Sequence, residues 1–147
     1  ATAFGFASGI LAGLVAVTPA AGVVQPAGAM ALGAIASIVC YYAIILKDKL
    51  GYDDSLDAFG LHGMGGIVGA LFLVFFMRGD HSFSEIMSTL GVQALAVGIA
   101  IVYAAVLTFV IVWAIDKTIG LRSEDKDEMQ GLDATYHGEH GYGMLNL

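Results

Sequence analysis

Four apolar stretches, at about 4–24, 27–46, 58–77 and 88–115, dominate this chain of 147 residues. Each approaches or exceeds the ~20 residues that cross a ~30 Å hydrocarbon layer at ~1.5 Å per residue. None alternates polar with apolar residues, as a membrane-spanning strand would. Lipid cannot satisfy open backbone groups, so stretches of this kind must be helical. The expected fold is all-α, a polytopic membrane helix bundle. Composition agrees: 58% of the residues are hydrophobic, 13% are charged and the mean hydropathy is +0.81. A soluble domain of this size has too little interior to hide that much apolar surface.

The breaks between stretches are chemically marked. Thr18-Pro19-Ala20-Ala21-Gly22 interrupts the first, because proline removes a backbone donor and clashes with the preceding turn. Pro26 suits the first turn of the next helix. The longest stretch, 88–115, must tilt or extend past the hydrocarbon. Lysine and arginine are unevenly placed. Lys47 and Lys49 follow the second stretch, Lys117, Arg122 and Lys126 follow the fourth, and only Arg78 follows the third. This bias places the second-to-third connection and the C-terminus in the cytoplasm. Two segments are expected: 1–119 with the four transmembrane helices, and a cytoplasmic tail over 120–147. The chain opens on Ala1-Thr2-Ala3, with no basic region leading to a cleavage site, so no signal peptide is expected and the chain reads as a piece of a longer protein.

Within 58–77 the sole ionisable residue is His62, and Gly60, Gly63, Gly65 and Gly66 surround it. A titratable group at that depth needs a polar partner or a water-filled cavity. The glycines allow another backbone or a small ligand to approach closely. His62 is thus the leading functional candidate, and a helix–helix hydrogen bond is the simpler alternative. Small residues also recur at helical spacing, at Gly5, Gly9 and Gly13, at Ala29, Gly33 and Ser37, and at Gly65 and Gly69. Such ridges suit tight helix packing, and some of the same glycines could line a narrow pore.

The remaining residues exclude several classes. The net charge is −7 and no basic stripe exists, so nucleic acid is not an expected partner. Six of the 13 acidic residues lie beyond Leu121, in a tail that has lost the apolar pattern. Cys40 is the single cysteine and sits in an apolar stretch, as a small buried hydrophobe does. His81 falls in a polar connection. Asp53, Asp54 and Asp57 lack the ligand spacing of a calcium loop, and they suit the capping and charging of the third helix's N-terminus. His137, Glu139 and His140 are poorly spaced for one helix face, so no metal is expected there. No nucleophile–base pair, phosphate loop or cofactor motif is present, which argues against an enzyme and against a bound cofactor.

Three motifs, in order, carry a resemblance. They are Gly13-Leu14-Val15-Ala16-Val17-Thr18-Pro19-Ala20-Ala21-Gly22, then Asp53-Asp54-Ser55-Leu56-Asp57-Ala58-Phe59-Gly60-Leu61-His62-Gly63-Met64-Gly65-Gly66, then Gly120-Leu121-Arg122 with Gly131-Leu132-Asp133, His137-Gly138-Glu139 and Tyr142. Together they make the chain resemble the ammonium transporter (Amt/Mep/Rh) family, Amt branch, over its full length. It looks like the last four of that family's eleven membrane helices plus the cytoplasmic tail. The resemblance implies a homotrimer in the plasma (cell inner) membrane with one hydrophobic pore per subunit, working in nitrogen metabolism. Ammonium or ammonia would pass two stacked histidines, of which His62 matches the second; the first, and the gate aromatics, belong to the missing N-terminal helices. The resemblance also sets Thr18 and Phe59 at the pore and Asp54 and Asp57 at its cytoplasmic mouth. Arg122, Gly131, Asp133, Gly138, Glu139 and Tyr142 would form a regulatory tail that contacts the neighbouring subunit. A PII-type signal protein at the cytoplasmic face is a further implied partner. The alternative function is an ammonium sensor, the same module read by a partner domain.

Overall fold

The computed structural model describes residues 2–139, and the fold is all-α. Helix α1 spans Ala3–Val17, with Thr2 as its N-cap: the Thr2 hydroxyl accepts the Gly5 N–H at 3.0 Å. The helix gives way at Thr18-Pro19 to a single 3-10 turn, Thr18–Ala20, where Pro19 has no N–H to continue the ladder. The Val23 and Val24 amides close this turn on the Ala20 carbonyl, each at 3.0 Å. Helix α2, Pro26–Leu50, then starts with proline in its first turn and stops at Gly51, whose φ of 69° closes the C-terminus.

The third apolar stretch is not one regular helix. It begins as a π turn, Phe59–Gly63, continues as α3, Met64–Phe72, and tightens to a 3-10 turn at Leu73–Phe75. Helix α4, Phe83–Thr118, opens on a reciprocal cap. The Ser82 N–H and hydroxyl both reach the Glu85 carboxylate, and the Glu85 N–H returns to the Ser82 hydroxyl. A short helix α5, Asp125–Gln130, and a π turn, Asp133–His137, follow. Packing divides the chain into two units whose boundary falls inside α4, between Ile101 and Val102.

In the first unit α1, α2 and α3 pack through small residues. Gly13 and Gly33 face each other backbone to backbone, so that a methyl group on either would lie about 3.5 Å from the other's Cα. Ser37 strengthens the same crossing by donating to the Gly9 carbonyl of α1 at 2.9 Å and to Gly33 of its own helix at 2.9 Å. Gly69 of α3 lies against the Ala16 carbonyl of α1, with no space for a side chain. The close-packing role expected of these ridges is therefore met at both crossings. Ala16, Ala20, Leu32, Ala36, Val68 and Val74 are buried between the helices. At the far end of this bundle Arg78 donates through its backbone to Val23, at 2.9 Å, and through Nε to Val24, at 3.2 Å.

Outward-facing positions are as apolar as the core. Phe4, Met30, Leu95, Phe109 and Trp113 are each more than half exposed, and no described residue of α4 is buried. Ala3–Ala20, Pro26–Leu50 and Phe83–Thr118 are long and apolar enough to cross a membrane, and Phe59–Phe75 is a shorter apolar helical run. Water is a poor environment for such a surface, and lipid or further protein is a good one.

Candidate functional site

The site is built from the acidic turn that precedes His62. Asp54 is the cap of the third helical run: its Oδ1 accepts the Ala58 N–H at 2.8 Å and its Oδ2 the Phe59 N–H at 2.9 Å. Both donors lack partners inside the helix, so one carboxylate satisfies two of them at the positive end of the dipole. The other two acids do different work. Asp53 accepts the Ser55 hydroxyl at 3.2 Å. Asp57 closes the turn by donating its N–H to the Asp54 carbonyl at 3.1 Å, and it holds a φ of 54°, the only described non-glycine residue with positive φ. Its carboxylate pairs with Lys47, which comes from the last turn of α2.

From that anchor the backbone enters the π turn. The Asp57 carbonyl accepts the Leu61 N–H at 2.8 Å, and the Met64 N–H reaches back five residues to the Phe59 carbonyl. Single π turns concentrate at functional positions because they re-aim a side chain within a helix. Gly60 makes room for Ile44 of α2: a Cβ there would come within 2.9 Å of its Cγ1. Cys40 supports the turn from behind, its buried thiol 3.7 Å from the Leu61 carbonyl. The result is that Leu61 points into the bundle, where it is buried with Ala12 and Cys40, and His62 points out.

His62 opens onto a hollow of about 600 Å³ lined by Leu14, Val15, Thr18, Pro19 and Gly66. The imidazole makes no hydrogen bond to any described residue. Thr18, on the facing element, donates its hydroxyl to the Leu14 carbonyl at 2.8 Å, which leaves its oxygen lone pairs to the hollow. Two expected pore residues, His62 and Thr18, thus meet around one apolar space. Phe59 lies elsewhere, with Lys47, Leu50, Tyr52 and Met64 around a separate hollow of about 280 Å³, its ring edge-on to Tyr52 at a centroid distance of 6.4 Å. Asp57 borders a third hollow, with Ser8, Ser37, Cys40 and Tyr41.

In the second unit Arg122 binds the Glu128 carboxylate with two parallel bonds, 3.2 Å from Nε and 3.1 Å from the terminal guanidinium nitrogen. Gly131 ends α5 with φ 98° and donates to the Asp127 carbonyl at 3.0 Å. Gly138 ends the next turn with φ 66°, and the Gly138 and Glu139 N–H groups both reach the Asp133 carbonyl. Asp133 thus accepts the turn's hydrogen bonds through its main-chain oxygen. Its side chain makes none among the described residues. Tyr136 reaches Asp127 at 3.5 Å. Tyr142 and His140 lie outside the described residues. No group of three or more potential metal ligands occurs among the described residues.

Sequence reasoning missed Lys47 as part of the site. It read as one more positive charge at a helix end. The available signal was a lysine at the close of an apolar helix, followed within ten residues by four aspartates, Asp48, Asp53, Asp54 and Asp57. Gly66, on the floor of the His62 hollow, was legible only as part of a glycine cluster.

Helices that pack through glycines and expose long apolar faces define a helical membrane protein, and one of its hollows is walled by a lone imidazole. The sequence pattern of the Ammonium Transporter Family matches residues 1–142, and the chain belongs to that family. It is 41% identical over 154 aligned positions to the ammonium transporter of Aquifex aeolicus, covering 97% of this chain and 35% of that protein. The ammonium transporter of Bacillus subtilis is 40% identical, over 96% of this chain and 37% of its own length. Ammonium transporter Amt1 of Archaeoglobus fulgidus is 36% identical, over 94% and 37% respectively. The chain spans about a third of the length of the curated relatives it matches.

Proposed function

We propose that this chain supplies part of the wall of a pore that moves ammonium or ammonia across the cell inner membrane. His62 is one of two pore histidines, and the partner imidazole and gate aromatics come from N-terminal helices of the same transporter. The subunit works as a homotrimer with its C-terminus in the cytoplasm, where a PII-type protein finds its docking face. Thr18 contributes a polar oxygen across the lumen. Phe59 belongs to the pore below His62, and Asp54 and Asp57 sit toward its cytoplasmic mouth.

The observation that carries this reading is the meeting of His62 and Thr18 around one apolar hollow. An apolar lumen imposes a desolvation penalty of several kcal/mol on a bare cation. Potassium cannot reduce that penalty. Ammonium can, by passing a proton to a neutral imidazole nitrogen and moving on as ammonia. A second imidazole in contact would take the proton further.

The test is uptake by the full-length transporter in proteoliposomes, with His62→Ala against the unaltered protein. Ammonium uptake should fall at least about tenfold, equivalent to about 1.4 kcal/mol of barrier, or potassium should begin to pass as the lumen wets. Unchanged uptake with unchanged potassium exclusion contradicts the proposal. Ammonium binding without flux in the unaltered protein would instead support the sensor function.

A further inference from the structure

We propose that Lys47 and Asp57 act as a positioning pair that sets the direction in which His62 faces the pore, an inference that rests on His62 lining the conducting lumen. The pair joins two elements. Lys47 ends α2, and its ammonium group holds both the Asp57 carboxylate and, at 3.0 Å, the Asp54 carbonyl. Both side chains are largely enclosed, at 16% and 14% exposure, whereas the nearby Asp48 carboxylate, 3.9 Å from Lys47, is 75% exposed. One lysine therefore grips the acidic turn at two points.

The turn in turn fixes the phase of the helix that follows. Asp57 sits in the left-handed region at φ 54°, uncommon for a residue with a side chain although aspartate and asparagine reach it more readily than most. Its carbonyl takes the Leu61 N–H, and the Asp54 carboxylate takes those of Ala58 and Phe59. These bonds define where the π turn begins. A π turn accommodates one residue more than an α turn, and each residue of α-helix turns the chain by about 100°. If the turn relaxed to α-helical register, residues on its N-terminal side would rotate by about that amount relative to α3. His62, inside the turn, would lose its aim toward Thr18. Because Lys47 belongs to α2, which packs on α1 through Gly33 and Gly13, the pair references His62 to the wall that carries Thr18.

The experiment uses the full-length transporter in proteoliposomes. Lys47→Met and Asp57→Asn remove one charge each; asparagine tolerates the left-handed backbone. Lys47→Arg keeps the charge. Each is made alone and in the His62→Ala background, with ammonium uptake and potassium permeation as readouts. Lys47→Met and Asp57→Asn should each lower uptake about tenfold, the double variant no further, and Lys47→Arg should recover at least half of the rate. In the His62→Ala background neither change should alter uptake or potassium permeation again, since the pair acts through the imidazole. Amide hydrogen exchange over residues 58–64 should accelerate in Lys47→Met and Asp57→Asn and stay slow in Lys47→Arg. Where uptake in the His62→Ala background is too low to read, this exchange decides. The inference is overturned if His62→Ala changes transport while Lys47→Met does not. It is equally overturned by a Lys47→Met loss of the same factor in both backgrounds, or by unaltered exchange over 58–64. If His62→Ala changes nothing, the pore reading fails and this inference fails with it.

Discussion

Gly69 rests on the main-chain carbonyl of Ala16, and no atom larger than hydrogen fits between α3 and α1 at that point. The helical run that carries His62 is held to its neighbour by backbone contact, so the position of the imidazole depends on the absence of a side chain seven residues further along that run.

Gly69→Ala should therefore be costly where an ordinary helical Gly→Ala change gains up to ~1 kcal/mol. Forcing a methyl into a filled interface costs about 1–3 kcal/mol. In the detergent-solubilised full-length protein we expect a lower melting temperature and slower ammonium uptake. Gly66 is the internal control: a Cβ there has nothing within 4 Å, and it borders the His62 hollow. Gly66→Ala should leave the melting temperature unchanged or raised, whereas Gly66→Leu should obstruct uptake without destabilising the protein.

Asp54→Ala removes two N–H···carboxylate bonds at once. An N-cap substitution costs about 0.5–2 kcal/mol, and the upper half of that range is expected here. Asp54→Asn keeps an acceptor and should cost less. Thermal unfolding monitored by helical circular dichroism, with both variants side by side, checks the order.

The Arg122–Glu128 pair is exposed, its side chains 70% and 39% accessible. Exposed ion pairs contribute about 0–1 kcal/mol, so Glu128→Gln should leave stability within that range and its effect should shrink in high salt. Deleting the residues after Arg122 is a stronger change. If the tail has the regulatory role that the family resemblance implies, the truncated transporter still inserts and forms trimers, because the spans supply the packing, but it transports more slowly. Full-rate transport by the truncated protein would reduce the tail to a solvated extension.

Much of this architecture was legible in the residue pattern. Hydropathy alone demands helices, since lipid leaves the backbone no other partner. Pro19 predicts the end of α1, and the four-residue spacing of small side chains predicts close helix packing, while which residues meet, Gly13 with Gly33 and Gly69 with Ala16, is seen only in the fold. His62 stands out because it is alone among apolar neighbours. The π turn was not legible. It arises from tertiary constraints that converge on one loop: Asp54 capping two amides, Lys47 reaching over from α2, and Gly60 yielding space to Ile44. No local propensity encodes that convergence. For the same reason the three aspartates read as equivalent capping charges, whereas in the fold one caps, one holds a serine and one pairs with a lysine.

The most direct measurement of the central claim is a high-resolution structure of the full-length transporter in a lipid environment. The account predicts that the His62 imidazole faces a continuous narrow lumen, with Thr18 across it and a second imidazole from an earlier helix within hydrogen-bond distance, about 3 Å. An imidazole turned toward lipid, or bonded to a carboxylate with no channel beside it, would contradict it.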